Sequence, residues 1–290
     1  MNKARSSTIQ LLRLHFSFFL MPVYWFALSQ VVDRDWGRAL LIFVILHGLV
    51  YPASNGYNSY MDRDTTPIGG LENPLPPTRQ LFWVTLAMDA AALILGCFIG
   101  LFFVTGLAFY ILASRAYSYR GIRLKRFPFL GWLVVISCQG ALVFVLVFQG
   151  SHKAGAIVDP GSVTSAMLAA SLLLGGFYPL TQIYQHEADR RDGVKTLSMV
   201  LGYRGTFIFT GIVYGIAFAT LNYYFYITLQ FKEFRVLATC MLPVVVYFLI
   251  WAIKVWRDPA SANFVNTMRM NLLASICTNA GFIAVLVMGS

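Results

Sequence analysis

The sequence predicts an all-α integral membrane protein with about nine transmembrane helices in one domain, 1–290. Three observations predict it. Of 290 residues 58% are apolar, and the mean hydropathy is +0.67. Only 12% are charged, against about 25% in soluble domains, too few to cover a soluble surface. Apolar runs long enough to cross a bilayer recur along the whole chain, and the basic residues alternate with them.

The first run, 9–32, follows "MNKARSS". Arg13 and His15 interrupt it and no A-x-A-like site follows, so it reads as a retained first helix rather than a signal peptide. The second, 38–60, runs into "NSYMDRD" at 58–64. Residues 81–117 are too long for one span and divide into 80–97 and 99–117, turning at Gly96, Gly100 or Gly106. The fifth, 128–149, follows the basic stretch "AYSYRGIRLKR". The sixth, 162–186, runs into "QHEADRRD". The last three are 205–229, 235–256 and 267–288. "GGLENPLPPTRQ", 69–80, reads as a flexible loop, a lid or a plain connector.

With the N-terminus in the cytoplasm, seventeen of the 22 Lys and Arg residues fall in inside segments. This bias supports the nine-span map through the positive-inside rule. It accounts for the net charge of +10 without nucleic acid. It also puts both acidic clusters on the cytoplasmic side of what is expected to be the cytoplasmic membrane. Cys97, Cys138, Cys240 and Cys277 stand alone in apolar segments, with no zinc or haem spacing.

The acidic clusters end the second and sixth runs. Carboxylates near hydrocarbon are costly, and like charges that converge need cations. Convergence of the two helix ends would gather Asp62, Asp64 and Asp189, with Glu187 and Asp192 as further candidates. Such oxygens suit Mg²⁺, which usually completes its shell with water or substrate phosphates. A diphosphate fits as the bridging anion, and Lys125, Arg126, Arg190 and Lys195 are candidates for its remaining charge. A diphosphate handled beside lipid suggests an amphiphile with an apolar tail, such as an isoprenyl diphosphate. Aromatic faces, 16% of the chain, can stabilise the cation left when diphosphate departs. Asn58 shares a helix face with Asp62, four residues on. His186, beside the carboxylates, is a candidate base with a structural alternative. Asp89, inside the third run, is expected to pair with Arg13 or another polar group, or to contact an acceptor.

These motifs resemble those of the UbiA-type superfamily of intramembrane prenyltransferases, and the resemblance covers nearly the whole chain. "NSYMDRD" resembles its N-D-x-x-D-x-x-x-D element, and "YQHEADRRDGVKTLSMVLG" its D-x-x-x-D element with the G-x-x-T-L tail. "AYSYRGIRLKRFPFLG" is similar to its Y-S…L-K-R stretch. The resemblance implies helices around a central cavity, Mg²⁺ dependence, and prenyl transfer from the diphosphate to a lipophilic or aromatic acceptor. Asn58, Asp62 and Asp189 match the motifs and are the candidate catalytic residues. Two departures matter: Thr66 and Gln185 stand where the pattern has Asp. Gln185 and Asn58 would then offer amide oxygens to metal beside Asp62, Asp189 and Asp64. The altered motifs leave a terpene cyclase on the same scaffold as an alternative. A transporter is a second alternative, but it predicts charges and broken helices at the bilayer midplane.

Overall fold

A computed structural model of the chain describes residues 3–63, 66–153 and 160–289. Among these, nine helices are long and apolar enough to cross a membrane: α1 (Ala4–Ser29), α2 (Trp36–Asp62), α3 (Arg79–Cys97), α4 (Leu101–Ser118), α5 (Pro128–Gly150), α6 (Pro160–Gln182), α7 (Leu197–Ile227), α8 (Phe231–Arg257) and α9 (Phe264–Met288). A short helix, His186–Arg191, lies between α6 and α7. The protein is an integral, multi-pass membrane protein.

The spans match the sequence reading closely, and their ends carry the differences. The third and fourth helices separate at Gly100, whose φ of 138° is open to glycine. Gly96 and Gly106 stay helical. The sixth helix stops at Gln182 rather than 186, and Ile183, fully buried, packs in the turn that follows. Apolar pattern alone does not separate a buried turn from a buried helix. The seventh helix starts at Leu197, ahead of the expected 205, with a break at Gly202, where φ is 69°. Thr196 caps it by accepting from the Met199 N–H. Arg13, at φ 47°, interrupts α1 between regular helix and the tighter turns Leu14–Leu20.

Helix packing uses close approach of small residues, as expected inside a bilayer. A Cβ on Gly140 of α5 would come within 2.5 Å of the Ser171 Cα on α6. The Ser171 hydroxyl donates to the Ile136 carbonyl at 3.0 Å. That carbonyl lies in the wide π turn Ile136–Leu142, where shifted bonding frees backbone oxygens. Leu101, Phe98, Leu112 and Trp83 are among many large apolar side chains left exposed. On a membrane protein these face lipid.

The connections sort onto two ends of the bundle. At one end Lys153 pairs with Asp33 at 2.8 Å, Arg38 donates to the Gly150 carbonyl, and Gln230 donates to Gln30. The Asp33 partner raises the Lys153 pKa. At the other end lie both motif regions and the 119–127 connection. The 66–78 connection is held there rather than free. Ser7 donates to Pro76 O at 2.6 Å, Gln10 exchanges bonds with Asn73 and Leu75, and Arg13 donates to Gly69 O at 3.0 Å. Ile68 is buried against Leu11, Leu12 and Leu81. These contacts replace the expected flexible loop with one strapped to α1.

Candidate active site at the charged end

Asp62 ends α2. Arg63 follows in the left-handed region, at φ 55°, and turns the chain away. The Asp62 side chain is only 7% exposed, so its charge needs partners. Lys125, from the connection between α4 and α5, donates to Oδ2. Arg123 lies 3.7 Å from Oδ1, which is buried and accepts no hydrogen bond among the described residues. Arg120 closes the helix end by donating to the Met61 carbonyl at 2.7 Å. One helical turn below, Asn58 Oδ1 accepts from the Ser118 hydroxyl at 2.8 Å.

The second motif comes to the same place. Asp189 lies on the short helix, its N–H bonded to Gln185 O and its carbonyl to the Val194 N–H. Tyr117 of α4 and Tyr178 of α6 both line the cavity below these helix ends. The two tyrosine hydroxyls bond each other. Asp192 is drawn to Arg123, which donates to its carboxylate and, at 3.1 Å, to its carbonyl. Arg123 therefore links the two acidic helix ends. Sequence reading gives it only the role of a loop charge. Its signal is its place in "YRGIRLKR", two residues before Lys125.

Below the charges a cavity of about 210 Å³ enters the bundle. Asn58, Tyr117, Tyr178 and Gln139 line its polar part, and Phe19, Leu174 and Phe177 its apolar part. It leads toward a smaller space of about 60 Å³ that ends at Phe26 and Phe282, which stack at 4.6 Å.

Other predicted residues stand apart. Arg126 is exposed with its guanidinium 4.7 Å over Phe127. Arg190 and Lys195 are exposed and line a separate open depression with His186 and Met199. Glu187 is exposed and pairs with Arg191 one turn on. His186 packs against α7: its Nε2 meets the Ser198 hydroxyl at 2.8 Å and its ring stacks on Tyr203. Burial, reinforced by Arg190, pushes its pKa down to about 4. Gln185 turns its amide to the Pro67 carbonyl at 3.4 Å. Asp64 lies outside the described residues. Asp89 pairs with Arg115 on the neighbouring helix, at 2.9 Å to Nε, and not with Arg13. Arg13 is used at the strapped loop.

Among the described residues no three His, Cys, Asp or Glu side chains gather closely enough to hold a metal alone. The donor set fits Mg²⁺ in another way. One or two carboxylates suffice when phosphate oxygens complete the shell, and Asp62 keeps one buried oxygen without a hydrogen bond.

Nine helices with carboxylates and cations paired over an apolar, aromatic-lined cavity define a membrane protein built to hold a charged head and an apolar tail. The chain belongs to the UbiA prenyltransferase family, whose family model matches residues 18–273, and it is accordingly a membrane prenyltransferase. It is 28% identical over 262 residues to the bacteriochlorophyll synthase 33 kDa chain of Rhodobacter capsulatus, covering 83% of each chain. It is 29% identical over 195 residues to the chain of that name from Cereibacter sphaeroides, spanning 62% of each. Among solved structures it resembles a UbiA homologue from Archaeoglobus fulgidus bound to GPP and Mg²⁺, with TM-score 0.69 and 21% identity over 97% of this chain and 99% of that one. The apo structure of a UbiA homologue from Aeropyrum pernix K1 is similar too, with TM-score 0.67 and 17% identity over 94% and 98%.

Proposed function

We propose that this protein transfers an isoprenyl group from its diphosphate to a lipophilic acceptor inside the bilayer, with the diphosphate and Mg²⁺ held at Asp62, Asp189 and Asn58. The observation that carries the reading is the pairing of Asp62 with Lys125 and Arg123 at the mouth of an apolar cavity. Carboxylates and cations that neutralise each other can exchange partners when a metal diphosphate enters. Lys125 and Arg123 turn to phosphate oxygens, for which a guanidinium fork is well suited. Asp62 and Asp189 then face the cation side of the incoming pair. Mg²⁺, when bound, would neutralise the leaving diphosphate and so favour its departure. Tyr117, Tyr178 and Phe177 line the space where the prenyl cation forms and can stabilise it through their ring faces. The tail extends away from the charges, among Phe19, Leu174 and Phe177. The charged end faces the cytoplasm in this reading. Cysteine labelling tests that side by comparing positions near Arg123 with positions near Lys153.

The test is incubation of the purified protein with Mg²⁺ and isoprenyl diphosphates of increasing length, following released diphosphate and organic-phase products. Acceptors are offered by class: an aromatic acid, a quinone precursor, a glycerophosphate and, given the two relatives named for bacteriochlorophyll synthesis, a tetrapyrrole acid. Acceptor-dependent diphosphate release supports transfer. A cyclised hydrocarbon formed without acceptor would replace it with a cyclase.

A further inference from the structure

Helix α9 carries buried polar residues at four-residue spacing: Thr267, Asn271, Ser275 and Asn279, each at most 5% exposed. That spacing keeps them on one face, toward the bundle interior. Inside a bilayer each such group needs a partner. Thr267 donates to the Asn263 carbonyl at 2.9 Å, and Asn279 donates to the Phe18 carbonyl at 3.3 Å. Asn58 and Asn55, on α2 across the cavity, accept from Ser118 and Arg13. Asn271 and Ser275 differ: each is 4% exposed, and neither has a hydrogen-bond partner among the described residues.

The location of Asn271 gives this meaning. It borders both the upper cavity and the lower one. Four residues do so, and the other three, Phe19, Leu174 and Phe177, are apolar. Asn271 is seven residues into α9, about 10 Å along the axis from its charged end. A carboxamide there offers two N–H donors and a carbonyl acceptor. A prenyl tail has no atom that can answer them, and burying an amide against hydrocarbon is unfavourable. Ser275, one turn further, lines the lower cavity and adds a hydroxyl.

The geometry points to Asn271 as the hydrogen-bonding group of the acceptor site, taking an acceptor whose hydroxyl, carbonyl or carboxyl reaches below the diphosphate. This rests on the transfer reading above. The assignment places the acceptor beside α9 and the tail against the apolar residues of α1 and α6. It also predicts selectivity, because a site built to hydrogen-bond discriminates strongly against analogues lacking the polar group.

The experiment uses the full chain in detergent and two probes of nearly equal size, 4-propylphenol and propylbenzene. Binding is followed by thermal shift, with and without geranyl diphosphate and Mg²⁺. Wild type is expected to prefer the phenol by about tenfold or more. Asn271→Leu is expected to lose that preference, to melt higher than wild type because an unsatisfied amide is gone, and to bind geranyl diphosphate as wild type does. Asn271→Ala, which cannot overfill the space, should lose the preference as well. Three results would overturn the assignment: no preference in wild type, a preference that survives in both variants, or loss of geranyl diphosphate binding together with the preference. Failure of wild type to bind geranyl diphosphate would instead sink the transfer reading, while the comparison made without it still reports on Asn271.

Discussion

Lys125 Nζ donates to Asp62 Oδ2, while Asp62 Oδ1 remains buried without a hydrogen bond among the described residues. One oxygen is thus hydrogen-bonded by Lys125, while the other faces the Arg123 guanidinium at 3.7 Å without a hydrogen bond. Asp62→Asn keeps the shape and removes the charge. Loss of Mg²⁺-dependent diphosphate release by at least about 100-fold, near 3 kcal/mol of transition-state stabilisation, is expected, and the same for Asp189→Asn. Steady-state kinetics with the melting temperature as a fold control check this. Near-normal turnover in either variant would remove that residue from the site.

Arg123 bridges Asp62 and Asp192, and so ties the short helix His186–Arg191 to the end of α2. Arg123→Met should raise KM for the isoprenyl diphosphate by about tenfold or more, the value of one charge-assisted contact. It should also speed amide hydrogen exchange across 186–192. A rise in KM with unchanged exchange would mean that Arg123 serves the ligand alone.

Asp89 and Arg115 form a pair inside the bundle, with Thr85 accepting from the guanidinium at 3.2–3.3 Å and the Tyr57 ring 4.0 Å beneath it. Removing one partner strands a charge. Arg115→Leu should cost about 3–5 kcal/mol. Asp89→Leu combined with Arg115→Leu should recover most of it, since apolar replacement of a whole buried pair is often neutral. A denaturation-based double-mutant cycle measures the coupling. Additive losses would contradict the pairing.

His186 is held neutral, its pKa pushed down to about 4 by burial and Arg190. A histidine that charges less readily when folded stabilises the fold above its unfolded value. That contribution is fully present above pH about 6.5 and declines as pH falls toward about 4. Melting temperature measured from pH 7.5 to 4.5 should therefore drop less steeply in His186→Gln than in wild type. Parallel curves would show that the histidine is equally protonated in both states.

Gly140 meets the Ser171 backbone so closely that a Cβ there would stand 2.5 Å from the Ser171 Cα. Backbone cannot rotate aside as a side chain does. Gly140→Ala should separate α5 from α6 and destabilise by about 1–3 kcal/mol. Thermal unfolding in detergent checks it, and an unchanged Tm would mean the crossing relaxes freely.

The nine spans were legible because crossing a bilayer demands about 20 apolar residues and little else. Their order and the places of the two acidic motifs along the chain were legible because the motifs are local in sequence. The turn at Gly100, rather than at 96 or 106, was not, since all three sit in continuous apolar sequence and only packing keeps Gly96 and Gly106 helical. Arg190 and Lys195 look equivalent to Lys125 in the sequence because charge has no direction there. Arg190 and Lys195 lie exposed at a separate depression, and the 119–127 connection carries Lys125 inward with the unanticipated Arg123.

Composition, span length and the placement of charge thus determined by themselves the nine helices, among the described residues, that are long and apolar enough to cross a membrane, and the charged loops between them. Tertiary structure alone decided which of those charges meet, that Asp89 answers Arg115 rather than Arg13, and that Asn271 faces a cavity without a partner among the described residues. The reason is physical. The cost of burying apolar or charged groups is a property of each residue, whereas its compensation depends on which groups other helices bring within about 3 Å.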